Sequence, residues 1–129
     1  MNTEKISVNV NIVDLGKIDL LIDQGLYTNK TDFFTRAISG ELNKNEAFIS
    51  QAIKEMDPDV HIQIGKAVYS AEKLMKMKAA NLSNKLYVIG RLVIEPDVSL
   101  ELAKATLPGI RVFGSCKMSA ELMEYYNLG

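Results

Sequence analysis

KISVNVN, Lys5 to Asn11, alternates strictly: Ile6, Val8 and Val10 are apolar, while Lys5, Ser7, Asn9 and Asn11 are polar. A period of two is the pattern of a strand with one face in a core and the other outside. A strand this short, this near a terminus, has no stability alone. Its partner therefore decides the fold. Next to it, Asn11 is a good N-cap residue, and Ile12, Leu15, Ile18, Leu21 and Ile22 follow at helical spacing with Asp14, Lys17, Asp19 and Asp23 between them. The spacing predicts a helix over about residues 12–24. Gly25 stops it as the residue after the cap.

GLYTNKTDFFTRAI, Gly25 to Ile38, predicts a second helix running to about Asn43. Thr28 is the expected N-cap, with Asn29, Lys30 and Thr31 in the first turn and Asp32 near the positive end of the dipole. Phe33, Phe34, Ala37, Ile38 and Leu42 make its apolar side. A third helix is expected in NKNEAFISQAIKEM, Asn43 to Met56, on a stripe of Phe48, Ile49, Ala52, Ile53 and Met56. Asp57-Pro58-Asp59 ends it, because the residue before proline avoids helical angles.

Beyond residue 60 the texture becomes repetitive. HIQIGKAVYSAEKLMKM, LYVIGRLVIEPDVSLEL and IRVFGSCKMSAELMEYY each carry a β-rich run, a glycine, a second alternating run, a Ser or Pro break, an acidic residue and a helical pattern. The glycines, Gly65, Gly90 and Gly114, stand 25 and 24 residues apart. Helix starts are marked by Ser70, by Pro96-Asp97 or Ser99, and by Ser119. The reading is three β-then-helix units, roughly 61–85, 86–109 and 110–129, stacked in parallel around one core as in a small solenoid. The period lies in the leucine-rich-repeat range, but the full consensus of that family is absent. The expected fold class is therefore α/β (α+β overall).

The first 45 residues, strand, helix, turn, helix, resemble the ribbon-helix-helix family of DNA-binding regulators, the CopG-like, Arc-like and methionine-repressor-like proteins. The resemblance rests on the alternating strand, the Asn cap, the Gly-Leu turn, the Thr-Asn-Lys-Thr helix start and the Phe-Phe…Ala-Ile stripe, and covers about a third of the chain. It implies that two chains pair their strands into an antiparallel ribbon that enters the DNA major groove. Ile6, Val8, Val10, Phe33, Phe34 and Ile38 would then form the dimer core. Lys5, Ser7 and Asn9 would face base edges: Lys donates to guanine, Asn pairs with adenine by two hydrogen bonds, and Ser suits several bases. Asn11 aligns with the helix cap instead. The resemblance also implies a phosphate clamp at the start of the second helix, on Thr28, Asn29, Lys30 and Thr31. Arg36 is either a further phosphate contact or the partner of an acidic neighbour.

Composition sets limits on this reading. The chain has 129 residues, 47% hydrophobic and 24% charged, enough for one ordinary domain or two small ones. Its formal net charge is −1, and residues up to Asn45 hold five basic against six acidic side chains. Duplex affinity comes largely from phosphate neutralisation, so such a module depends on where its few cations stand. Asp14, Asp19 and Asp23 would have to point away from the duplex. One cysteine, Cys116, and one histidine, His61, supply neither a disulfide nor a four-ligand zinc site. The His- and Cys-rich nickel-sensing domain of some such regulators has no counterpart here. No catalytic constellation is present, so neither an enzyme nor a cofactor is expected. No apolar run approaches the ~18 residues of a membrane span, and no signal-peptide pattern opens the chain; a cytoplasmic protein is expected.

The domain reading is 1–45 for dimerisation and DNA binding, 46–59 as connecting helix and linker, and 60–129 as a βα-repeat domain for oligomerisation or for a small-molecule or protein partner. The expected function is a sequence-specific transcriptional regulator, a repressor, working on double-stranded DNA as a homodimer or higher even-numbered oligomer. Two other readings use the same module: an antitoxin whose C-terminal part binds a toxin, and a dimeric scaffold that never touches DNA.

Overall fold

The structure, a computed structural model, describes residues 3–128. Met1, Asn2 and Gly129, which the expected domain limits include, lie outside them. The described residues form six helices and one three-stranded sheet. Contacts divide the chain into two compact units, Lys5–Met56 and Asp57–Gly129, the latter including Glu4.

The first unit holds α1 (Ile12–Asp23), α2 (Lys30–Lys44) and α3 (Glu46–Lys54). α1 begins where expected because the Asn11 Oδ1 accepts the Val13 N–H at 2.8 Å. It ends at Gly25, whose φ of 82° lies in the left-handed region. α2 departs from expectation by one residue: its cap is Asn29, not Thr28. The Asn29 Oδ1 accepts the Asp32 N–H at 2.8 Å, and the Asp32 Oδ2 accepts the Thr28 N–H at 3.0 Å. This reciprocal bracket resembles a capping box and holds the chain more firmly than one hydroxyl does. The expected strand over Lys5–Asn11 does not form within one chain. A strand exists by ladder bonds to a neighbour, and no described segment of the chain pairs with it.

The second unit reads β1 (Val60–Tyr69), α4 (Ala71–Ala79), β2 (Lys85–Ile94), α5 (Leu100–Thr106), β3 (Ile110–Lys117) and α6 (Ala120–Tyr126). The strands lie side by side in chain order, and both pairs are parallel. Each helix is capped by a serine: the Oγ of Ser70, Ser99 and Ser119 accepts the N–H of Lys73, Leu102 and Leu122 at 3.2, 3.2 and 3.3 Å. Asp97 has another task, accepting the Ala71 N–H at 3.2 Å and so tying the start of α4 to the loop after β2.

The register puts Gly65 opposite Gly90 and Gly90 opposite Gly114. Ala67, Tyr69, Leu86, Val88, Leu92 and Ile94 all fall on one face and are buried there. Leu74 of α4, Leu102 of α5 and Leu122 of α6 belong to the same cluster, so the three helices share this face. The one buried polar residue among those described, Thr106, is satisfied: its hydroxyl donates to the Leu102 carbonyl at 2.7 Å. Cys116 is half-buried with its Sγ 3.8 Å from the Met123 sulfur, as a small hydrophobe would be.

Tyr126 fastens the last helix, its hydroxyl donating to the Leu107 carbonyl at 2.6 Å. Burial first, then neighbouring Tyr125, pushes its phenol from 10.0 up to about 12. The folded chain therefore keeps this proton at a pH where the unfolded chain loses it. The stabilisation is complete below pH 10 and fades as pH rises from 10 towards 12. Tyr126→Phe is expected to cost about 1 kcal/mol at neutral pH, read as a lower urea midpoint. It should also reduce the alkaline loss of stability; an unchanged alkaline limb would contradict this.

Candidate nucleic-acid interface

In the segment before α1, every second side chain is apolar, and these side chains face solvent. Ile6 is 76% exposed, Val8 72% and Val10 37%. Lys5, Ser7 and Asn9, the expected base readers, alternate with them and are exposed as well. The helices behind are similarly incomplete. Ile18 is the one buried residue in the described part of the first unit, while Ile12, Val13, Leu20, Phe34, Ile38 and Leu42 stay open. An apolar surface of this extent is far from what a stable monomeric unit of this size buries.

Of the residues expected in the dimer core, Ile6, Val8, Val10, Phe34 and Ile38 are exposed in the single chain. Phe33 differs. It is half-buried and meets the Tyr27 ring edge-on, with centroids 5.0 Å apart. Tyr27 also lies beneath the Arg36 guanidinium, 5.3 Å from its centroid. No periodicity singles out Tyr27. Its signal is its place two residues before the cap, close enough for its ring to pack across the helix start on Phe33.

Around the start of α2, the backbone N–H groups of Asn29, Lys30 and Thr31 have no acceptor among the described residues. Unsatisfied donors at a helix N-terminus attract an anion. The Thr28 N–H is taken by Asp32, so it does not join them. Asp32 is itself held by Arg36, Nε to Oδ1 at 3.1 Å, which makes Arg36 the partner of an acidic neighbour rather than a free phosphate ligand. Lys30 leans on Asp19 at 3.7 Å with both side chains 55% exposed, a contact that water and salt weaken to almost nothing. Asp19 thereby sits beside the start of α2. Lys44 pairs with Glu41 at 2.8 Å. Among the described cations up to Asn45, Lys5 and Lys17 remain unpaired.

No group of three or more His, Cys, Asp or Glu side chains among the described residues converges as a metal site. His61 is exposed on β1. Among the described residues, no helix is long and apolar enough to cross a membrane.

No curated protein and no solved structure matches the chain. A family model does match, described as the Ribbon-Helix-Helix transcriptional regulator family, over residues 1–123. The match extends well past the N-terminal third that carries the resemblance and takes in all three strands of the second unit. With an unpaired apolar comb at the start, two capped helices behind it and a match across nearly its whole length, the chain belongs to the ribbon-helix-helix transcriptional regulator family.

Proposed function

We propose that this protein is a cytoplasmic, sequence-specific transcriptional repressor that binds double-stranded DNA as a homodimer. Two copies of Lys5–Asn11 pair antiparallel, bury Ile6, Val8 and Val10 against the α2 surfaces of both chains, and enter the major groove. Residues 1–45 carry this work, 46–59 connect, and 60–129 hold dimers together or bind a partner. The observation that carries the reading is the open comb: alternate apolar residues at 76% and 72% exposure have no use in a single chain. A second copy supplies both the missing ladder and the missing core in one step.

The roles follow from chemistry. Lys5, Ser7 and Asn9 read base edges. The free N–H groups of Asn29, Lys30 and Thr31 take a backbone phosphate, with Thr28 lending its hydroxyl. Lys30 leaves Asp19 at little cost when a phosphate arrives. Asp32, already neutralised by Arg36, does not repel that phosphate as a free carboxylate would.

Selection from random duplex DNA at stated salt tests the proposal; enrichment of one motif is expected, and none at low salt sinks it. Lys30→Ala should weaken every duplex about equally and lower the salt slope by about one for each phosphate left without its lysine. Asn9→Ala should relax choice at one base pair by about 1–3 kcal/mol. The opposite pattern would show that the register is wrong. The scaffold reading draws on the net acidity of the module. It is excluded if Lys5→Ala and Asn9→Ala lose DNA while remaining dimeric.

A further inference from the structure

The sheet of the second unit has one face under its helices and one without them. On the side away from the core, Ile64, Ile89 and Phe113 stand in one row across the three strands. Ile64 is 69% exposed and Phe113 39%. The charged side chains that the three strands place on this face are Lys66, Lys85, Arg91, Arg111 and Lys117, all cations. No Asp or Glu occurs anywhere in the three strands. The acidic residues of this unit stand instead in its helices and loops, and the charge of the whole chain is −1. The segregation is therefore local to one face.

We propose that this face binds an amphipathic helix of a partner protein, one whose apolar stripe is flanked by Asp and Glu. Three observations favour that occupant. Parallel sheets are covered on both faces, typically by helices. From Ile62 to Val68 the face is about 20 Å long, the span of a helix of about 14 residues. A carboxylate already sits on the face: the Glu4 Oε2 accepts from the Arg91 Nη1 at 2.7 Å. A second copy laid face to face would set these cations on their own equivalents, a like-charge arrangement that costs rather than gains. Single-stranded nucleic acid needs open aromatic rings for stacking, whereas the two rings on this face are not open: Tyr87 is half-buried and the Arg111 guanidinium covers Phe113 at 4.7 Å.

The test is panning of displayed random peptides of about 16 residues on the full-length protein, with the double variant Ile64→Ser, Phe113→Ser as counter-selection. Peptides held by the native protein alone should show apolar residues at helical spacing flanked by Asp and Glu. Synthesised singly, they should bind at least about tenfold more weakly to the variant Arg91→Gln, Arg111→Gln, and more weakly at high salt. The substituted residues lie on the uncovered face, so circular dichroism should show native melting for both variants. Recovery of neutral or basic peptides, or equal recovery on the counter-selected variant, overturns the proposal. So does a poly-dT oligonucleotide that binds the native protein and loses that binding in the Ile64→Ser, Phe113→Ser variant, which would give the face to nucleic acid. The proposal does not depend on the major-groove reading, since neither peptide binding nor its loss involves duplex DNA.

Discussion

Val8→Asp is expected to convert the protein from dimer to monomer and to remove duplex binding altogether. Val8 is the middle tooth of the comb, 72% exposed in one chain. In the proposed ribbon it meets the partner's strand and the helices beneath it. A carboxylate there would be buried without a partner, costing several kcal/mol per chain, twice over because the interface is two-fold. A typical dimer of micromolar or nanomolar strength rests on about 8–12 kcal/mol, so the loss leaves little association. Sedimentation velocity at micromolar concentration reads it directly. Because Ile18 is the one buried residue in the described part of the first unit, its helices should lose order with the dimer. The helical circular dichroism signal should fall, while the three-stranded unit, with its own core, keeps a cooperative melt. Ser7→Asp is the control: it places the same charge on the outer face, so the dimer should survive while DNA binding is lost. A Val8→Asp protein that remains dimeric and binds its duplex would remove the ribbon from the proposed function.

How far the sequence could be read depends on the range of the interaction involved. Short-range devices were legible. Asn11, Gly25, Ser70 and Ser119 act within four residues of themselves, and each ends or starts a helix as expected, while Ser99 rather than Pro96-Asp97 starts α5. Thr28 is displaced at the same scale by its neighbour Asn29, which caps α2 in its place. The choice was made by Asp32 reaching back, a reciprocal bond that a single-residue preference does not register. Partner choice among charges was less legible. Asp19 meets Lys30, a pairing between two helices that no linear spacing reveals. The strand Lys5–Asn11 was recognisable by pattern, yet the folded single chain gives it no ladder, since the necessary neighbour is absent from one copy. The glycines were visible as a period. What they do, crowding carbonyls against α-carbons in the sheet, lay beyond sequence reading because it depends on exact register.

That crowding underlies the largest stability effect expected in the second unit. Gly90 has a φ of 140°, a backbone conformation that side chains rarely adopt, and a Cβ added there would collide with the Gly65 carbonyl of the neighbouring strand. Neither partner can yield easily, because both are backbone in a paired ladder. The conformational strain is worth about 1–3 kcal/mol, and relieving the overlap by moving a strand in a packed sheet about as much again. Gly90→Ala should therefore cost roughly 3–5 kcal/mol, near the top of what single substitutions do. For a unit of this size that is a fall in Tm of more than about 10 °C. Two further variants separate the causes. Gly114→Ala meets the Gly90 carbonyl in the same way and should match the loss. Gly65→Ala, with φ 110° but open space around its added Cβ, should lose the strain alone. It should therefore fall about half as far in calorimetry. Equal losses at all three positions would mean that backbone angle, not the carbonyl of the preceding strand, sets the requirement for glycine. A loss confined to Gly90 and Gly114 would mean that close stacking of strands is what the repeat preserves.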